Sequence, residues 1–250
     1  MAISAEHLTV GYGRTTIIDD MTFGPLEEGK VVGLIGPNAA GKSTLVKTIA
    51  GIKKPSQGTC SIVVDGREVT GKSRTTAIGY VPQDMLTTAS LTAFESIMVS
   101  AKRRGAADID PVAATADIME RLNITHLADR MVSDMSGGQR QLVGVAQMLV
   151  RCPSVLLLDE PTSALDLRHQ VHLLDIIRNE VAGTERLALV AIHDLNLAAR
   201  FCDELLVVKA GRVVALDTPA AVLNPELLNE VYGINARVLD DAGVPVICPV

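Results

Sequence analysis

The sequence predicts an α/β fold: a parallel β-sheet core, preceded by antiparallel strands and interrupted by a helical insert. Three observations predict it. Residues 31–35, 155–158, 187–192 and 205–208 are continuous apolar runs, the pattern of strands buried on both faces of a parallel sheet. Between about residues 91 and 150 the apolar spacing turns helical, most clearly over 113–122 and 139–150. Before the first apolar run the chain alternates and turns as antiparallel strands do.

The N-terminal strands come first. Residues 3–10 alternate loosely, Gly11-Tyr12-Gly13 reads as a turn, and Thr15, Thr16, Ile17 and Ile18 are β-branched. Residues 59–64 followed by Asp65-Gly66 read as a hairpin arm and its turn. After the run 31–35 comes a helical stretch, 44–50, stopped by Gly51. The helical insert follows, and then the remaining parallel strands. Beyond Gly211 the chain reads as a short strand, Pro219, a helix over 225–232 and a tail. The expected organisation is one domain over 1–250. Residues 1–83 and 154–215 form the core with its antiparallel part, 84–153 the helical subdomain, and 216–250 a C-terminal helix and tail.

Composition narrows the function. Charged residues are 21% and apolar residues 48% of 250, an ordinary globular balance, and no apolar run reaches the ~18 residues of a membrane span. The opening Met1 to His7 has no basic flank or apolar core, so no secretory signal is expected. Cys60, Cys152, Cys202 and Cys248 are scattered, which argues against a zinc site or disulfide framework and suits a reducing compartment. A net charge of −6 with 2% aromatics and no Trp argues against nucleic acid as a partner. The short basic cluster Lys102-Arg103-Arg104 reads as a solvated helix end.

The chemistry begins at Gly36-Pro37-Asn38-Ala39-Ala40-Gly41-Lys42-Ser43, directly after an apolar strand and before a helix. This fits G-x-x-x-x-G-K-[ST], the phosphate-binding loop. Glycines let backbone N–H groups turn toward phosphates, Lys42 reaches the β/γ oxygens, and the Ser43 hydroxyl suits Mg²⁺. Thr44 opens the helix whose positive dipole end faces the anion. A second clue is the strand 155–158 ending in Asp159-Glu160. Two carboxylates at the end of a buried strand cost free energy unless they act there. After a phosphate loop the natural roles are Asp159 on Mg²⁺ and Glu160 polarising the attacking water. A third is Ser136-Gly137-Gly138-Gln139 at a helix start, another anion cradle. One small triphosphate has little room for both cradles in one protomer. The second cradle is therefore expected to close on the nucleotide of a partner copy.

With these motifs in order, the sequence resembles the ATP-binding-cassette (ABC) ATPases over essentially its whole length. The resemblance implies a RecA-like core with an antiparallel β subdomain and an inserted helical subdomain. It implies ATP and Mg²⁺ as ligands and ATP hydrolysis as the activity. Tyr12 corresponds to the aromatic that stacks on adenine, Gly36 to Ser43 to the Walker A loop with Thr44 beside it as a nucleotide contact, and Gln83 in Gly79-Tyr80-Val81-Pro82-Gln83 to the Q-loop glutamine. Ser136 to Gln139 correspond to the signature, Asp159 and Glu160 to Walker B, Asp166 to the D-loop acid and His193 to the switch histidine. In that resemblance Glu160, His193, Gln83 and Lys42 are catalytic, and Ser43, Gln83 and Asp159 hold the metal. Two departures stand out. Met135 replaces the usual Leu, and Ala39 the usual Gly. At Ala39 a positive φ would cost about 1 kcal/mol or more. The stretch 65–78 is also short for the family.

The resemblance further implies a head-to-tail dimer closing on two ATPs, separate integral membrane permease subunits, indirectly a substrate-binding protein, and a peripheral position on the cytoplasmic face of the membrane. Leu91, Phe94, Ile97 and Met98 are apolar candidates for permease docking, with ordinary core of the helical subdomain as the other reading. The run His193-Asp194-Leu195-Asn196-Leu197-Ala198 resembles the bacterial importers of ferric siderophores, haem and cobalamin, with siderophore or haem ahead. Alternatives are cassettes for another metal ion, molybdate or an exported cargo, and soluble non-transport members.

Overall fold

The structure, a computed structural model, describes residues 1–83, 90–102 and 110–250. A six-stranded sheet carries the molecule, in the order β10-β9-β3-β8-β7-β6: Arg212–Asp217, Glu204–Lys209, Val31–Ile35, Leu187–Ala191, Val155–Asp159 and Ile78–Val81. All neighbours are parallel except β9 and β10. Every residue of β3, β7 and β8 is buried, because both faces are covered. Alternation splits their side chains between two cores. Leu156, Leu158, Ala188 and Val190 point to one, and Val155, Leu157, Leu187 and Leu189 to the other.

On the second face lies an antiparallel sheet in the order β2-β1-β4-β5: Thr15–Glu27, Ala2–Tyr12, Gln57–Val64 and Arg67–Glu68. Between the sheets sits α1 (Lys42–Ile49), burying Leu45, Val46 and Ile49. The helix α2 (Gly71–Ala77) occupies part of the short 65–78 stretch. The first face carries α3 (Ala93–Ala101), α4 (Pro111–Arg121), α5 (Gly137–Leu149), α6 (Leu167–Val181) and α7 (Leu195–Phe201). The chain continues through α8 (Pro219–Val222), α9 (Pro225–Tyr232) and a hairpin of β11 (Ala236–Asp241) and β12 (Val244–Pro249). The buried carboxylate of Glu180 on α6 receives both Arg121 of α4 and Arg186, which ties α4 to the sheet layer.

One sequence expectation needs correction, and the structure decides three points that the sequence leaves open. Gly11 and Tyr12 are not a turn. They continue β1 and pair with Thr16 and Thr15, so the chain reverses at Gly13-Arg14. Residues 78–81, which the sequence marks only as the approach to Gln83, form a sheet strand, β6. The stretch beyond 232 is an ordered hairpin whose Ile247 reaches the core. In the segment 91–98, Ile97 is fully buried and Phe94 packs against the same core, which favours the core reading over docking for these two side chains. Of the basic cluster Lys102 is exposed, while Arg103 and Arg104 lie outside the described residues, as does the predicted boundary at 84.

Candidate active site

The loop from Gly36 to Gly41 joins β3 to α1 at the C-terminal edge of the parallel sheet, where such sheets bind ligands. Gly36 has φ 151°, and a β-carbon there would stand 2.0 Å from the Val208 carbonyl oxygen, so only glycine lets β3 end against β9. The loop is held from below: Ala40 donates to the Pro37 carbonyl at 3.2 Å and Gly211 to the Ala40 carbonyl at 3.0 Å. Gly41 is the N-cap of α1 and offers no side chain to the first-turn N–H groups, which leaves them to an anion. Ala39 sits at φ 63°.

Lys42 is 5% exposed, and its ammonium donates to the carbonyls of Gly36 at 2.7 Å and Pro37 at 3.2 Å. Burial holds it below the usual lysine range, against the pull of Glu160 and Asp159. Ser43 Oγ donates to Asp159 Oδ1 at 2.9 Å. Burial raises the Asp159 carboxyl above its ordinary value, with the Ser43 hydrogen bond opposing it. No cluster of three or more His, Cys, Asp or Glu suits a metal among the described residues. One hydroxyl and one carboxylate do fit Mg²⁺, which commonly takes its other ligands from phosphate and water. The loop and this pair therefore suit a magnesium nucleotide better than a free ion.

Glu160 closes β7 in a left-handed conformation, φ 54°, its carbonyl accepting from Ser163 Oγ at 3.0 Å. Such strain in a non-glycine residue costs about 1–3 kcal/mol and concentrates at functional sites. It turns the side chain toward two partners. Gln83 Nε2 donates to Glu160 Oε2 at 2.7 Å, and His193 Nε2 lies 2.5 Å from Glu160 Oε1. Gln83, predicted also as a metal ligand, thus engages Glu160 rather than the Ser43–Asp159 pair. Tyr12, 48% exposed, shares a cavity of about 240 Å³ with Asn38, Ala39, Ala40, Gly41, Lys42, Ser43, Thr44 and Glu160. Lys53 Nζ stands 4.2 Å from the centroid of its ring.

The second cradle is elsewhere. Ser136 caps α5: its Oγ accepts from Gln139 N at 3.3 Å, and Ser136 N donates to Gln139 Oε1 at 3.1 Å. Gly137 and Gly138 lie against Ala164, whose carbonyl oxygen would be 2.6 Å from a β-carbon on Gly138. Asp166 caps α6 and accepts from His169 N at 2.9 Å and His169 Nδ1 at 2.7 Å. Those hydrogen bonds hold its carboxyl below the ordinary value. Ser136, Gly138, Gln139 and Asp166 line a cavity of about 260 Å³ that shares no residue with the first.

Two residues of this neighbourhood carry no signal in the sequence. The Tyr80 hydroxyl on β6 is buried with no hydrogen-bond partner among the described residues, and its phenol is pushed up to about 12 by burial, then by Asp159. The Gly79–Gln83 motif draws attention to Gln83 alone. Burial also raises the Tyr232 phenol of α9, with a Gly36 backbone hydrogen bond opposing. No local pattern links two positions so far apart in sequence.

The ABC transporter family model matches residues 18–163. The ferric enterobactin transport ATP-binding protein FepC of Escherichia coli K12 is 33% identical across 99% of this chain and 93% of its own. The chain belongs to the ABC transporter family. As a member of it the protein is an ATP-binding ATPase. The hemin import ATP-binding protein HmuV of Pseudomonas fluorescens is 36% identical, covering 94% of both chains. The cobalamin import ATP-binding protein BtuD of Halobacterium salinarum is 36% identical over 96% of this chain but 61% of its own length. A solved ATP binding subunit of an ABC transporter matches with a TM-score of 0.80 at 26% identity, over 93% of this chain and 98% of that one. Such agreement fits the RecA-like α/β cassette that the family resemblance implied.

Proposed function

We propose that this ABC ATPase powers a membrane importer whose cargo is a ferric siderophore or haem. The observation that carries the catalytic part is the convergence of Gln83 and His193 on Glu160 beside the Lys42–Ser43–Asp159 cluster. In this reading Tyr12 stacks on adenine and the Gly36–Ser43 loop with Thr44 cradles the phosphates. Lys42 gives up the Gly36 and Pro37 carbonyls for phosphate oxygens. Ser43 and Asp159, with Gln83 once free of Glu160, would hold Mg²⁺, which would neutralise charge on the phosphates. Glu160 orients the water that attacks the γ-phosphorus as the bond to ADP breaks, and His193 holds a γ-phosphate oxygen.

The separation of the two cavities supports a head-to-tail dimer. Ser136, Gly137, Gly138, Gln139 and Asp166 then meet the nucleotide bound to the other copy's Lys42. Within each copy, residues 1–83 and 154–215 form the core, 84–153 the helical subdomain and 216–250 the C-terminal part. No described helix is long and apolar enough to cross a membrane, so the transport path belongs to separate permease subunits. The cassette sits peripherally on their cytoplasmic side, and a substrate-binding protein delivers the cargo. The siderophore and haem assignment is supported by the transport named for FepC and HmuV and by His193-Asp194-Leu195-Asn196. The likeness to BtuD favours cobalamin as the second reading.

The test is affinity capture of the tagged protein from solubilised native membranes, with mass spectrometry of what accompanies it. A multi-span permease with an iron- or haem-binding protein supports the proposal, and a cobalamin-binding protein selects the second reading. Capture of soluble partners alone overturns the transport role and leaves the ATPase.

A further inference from the structure

Asn196 marks the importer-like motif, yet nothing in the phosphate site uses it. The structure gives it another partner. Its side chain spans one backbone unit of the C-terminal hairpin: Ile247 N donates to Asn196 Oδ1 at 2.8 Å, and Asn196 Nδ2 donates to the Ile247 carbonyl at 3.4 Å. This amide pair works like one rung of a β-ladder, joining the first turn of α7 to β12. One turn further on, Arg200 pairs with Asp241 of β11 at 3.0 Å. Beneath both, Ile247 packs in the same core as Leu197, Ala198 and Phe201. The hairpin is therefore fixed along the length of α7.

The other end of that connection is the candidate active site. Asp194 caps α7, its Oδ1 accepting from Asn196 N at 2.9 Å and Leu197 N at 3.0 Å. His193, the residue before the cap, lies on Glu160 at 2.5 Å. It is exposed and lies between Ile192, which is buried and donates its N–H to the Leu34 carbonyl at 3.2 Å, and the Asp194 cap of α7, so its anchor on the helix side is α7 itself. Hydrogen bonds thus run from Ile247 to Asn196 and from Asn196 to Asp194, whose peptide bond carries the connection to His193.

We propose that Asn196 is a positioning residue: by clamping α7 to the C-terminal hairpin it fixes the imidazole of His193 for ATP hydrolysis. This rests on the role of His193 proposed above. The hairpin is then part of the catalytic frame, although it contributes no group to the nucleotide. Because Tyr12 and the phosphate loop are untouched by Asn196, its loss acts on turnover and leaves nucleotide binding alone.

Steady-state ATPase kinetics and thermal melting of the full chain test this in Asn196→Ala, Asn196→Asp and His193→Ala. Loss of two hydrogen bonds, partly transmitted to His193, is expected to lower kcat of Asn196→Ala roughly 3- to 10-fold with KM for ATP unchanged. Asn196→Asp keeps the acceptor for Ile247 N–H and is expected to recover most of that kcat. In the His193→Ala background Asn196→Ala is expected to add little further loss, because the group it positions is gone. Wild-type kcat in Asn196→Ala beside a turnover-deficient His193→Ala overturns the positioning role alone, whatever happens to the melting temperature. So does an equal rise of KM and fall of kcat, the mark of a general structural defect. Full turnover in His193→Ala removes the proposed role of His193, and this inference with it.

Discussion

Gln83 Nε2 donates to Glu160 Oε2 at 2.7 Å, so the only side-chain amide of the Gly79–Gln83 motif is spent on the carboxylate proposed to activate water. With His193 on the other oxygen, both oxygens of Glu160 are occupied by groups proposed to serve the nucleotide. In the proposed function Gln83 and His193 would leave Glu160 for the bound magnesium nucleotide, which would free its carboxylate for a water.

Glu160→Gln keeps the shape of the site and removes the base. Hydrolysis is expected to fall about 10²- to 10⁴-fold while ATP binding persists and a nucleotide-bound dimer accumulates. Phosphate release and sedimentation with ATP measure both halves. Retained turnover would remove Glu160 from its proposed role.

Lys42 is a buried ammonium whose described hydrogen bonds run to two loop carbonyls. Truncation to alanine removes charge-assisted bonds to phosphate and is expected to weaken ATP roughly 10- to 100-fold. A fluorescent-nucleotide titration reads this, and unchanged affinity would contradict the loop's function.

Asp159 works against folding. Its folded carboxyl is raised above its ordinary 3.8, chiefly by burial. Stability from this group is therefore present below the unfolded value and lost as pH rises through the folded one. At neutral pH the ionised carboxylate is a cost that a cation relieves. Asp159→Asn is expected to raise the melting temperature of nucleotide-free protein at neutral pH, with the gain shrinking under acid, while Mg²⁺-dependent hydrolysis is lost. A lower melting temperature at neutral pH would refute this account.

Ala39 adopts φ 63°, where a β-carbon is strained. Ala39→Gly relieves that strain but frees the unfolded chain, so the net gain is expected to be about 0.5 kcal/mol. Denaturant unfolding measures it. Destabilisation would mean that the methyl group contributes packing that outweighs the strain.

Much of this protein is legible in its one-dimensional pattern. The buried runs 31–35, 155–158 and 187–192 become β3, β7 and β8, because a strand covered on both faces must be apolar throughout. The helix over 225–232 is bounded by Asn224 and Gly233, local signals that need no tertiary context. The phosphate loop is legible for the same reason: its glycines and Lys42 lie within one short stretch, so their chemistry is written in spacing.

Tertiary structure decided the rest. Whether Ala39 is strained depends on a φ angle that spacing leaves open. Tyr12 extends β1 rather than turning, because Thr15 lies across from it. Residues 78–81 became a strand by pairing with β7. Asn196 and Ile247, Tyr232 and Gly36, and Gln83 and Glu160 meet across long stretches of chain. Such meetings arise from the packing of whole elements, whose free energy is spread over many buried side chains. No single residue carries it, and so no local pattern announces it.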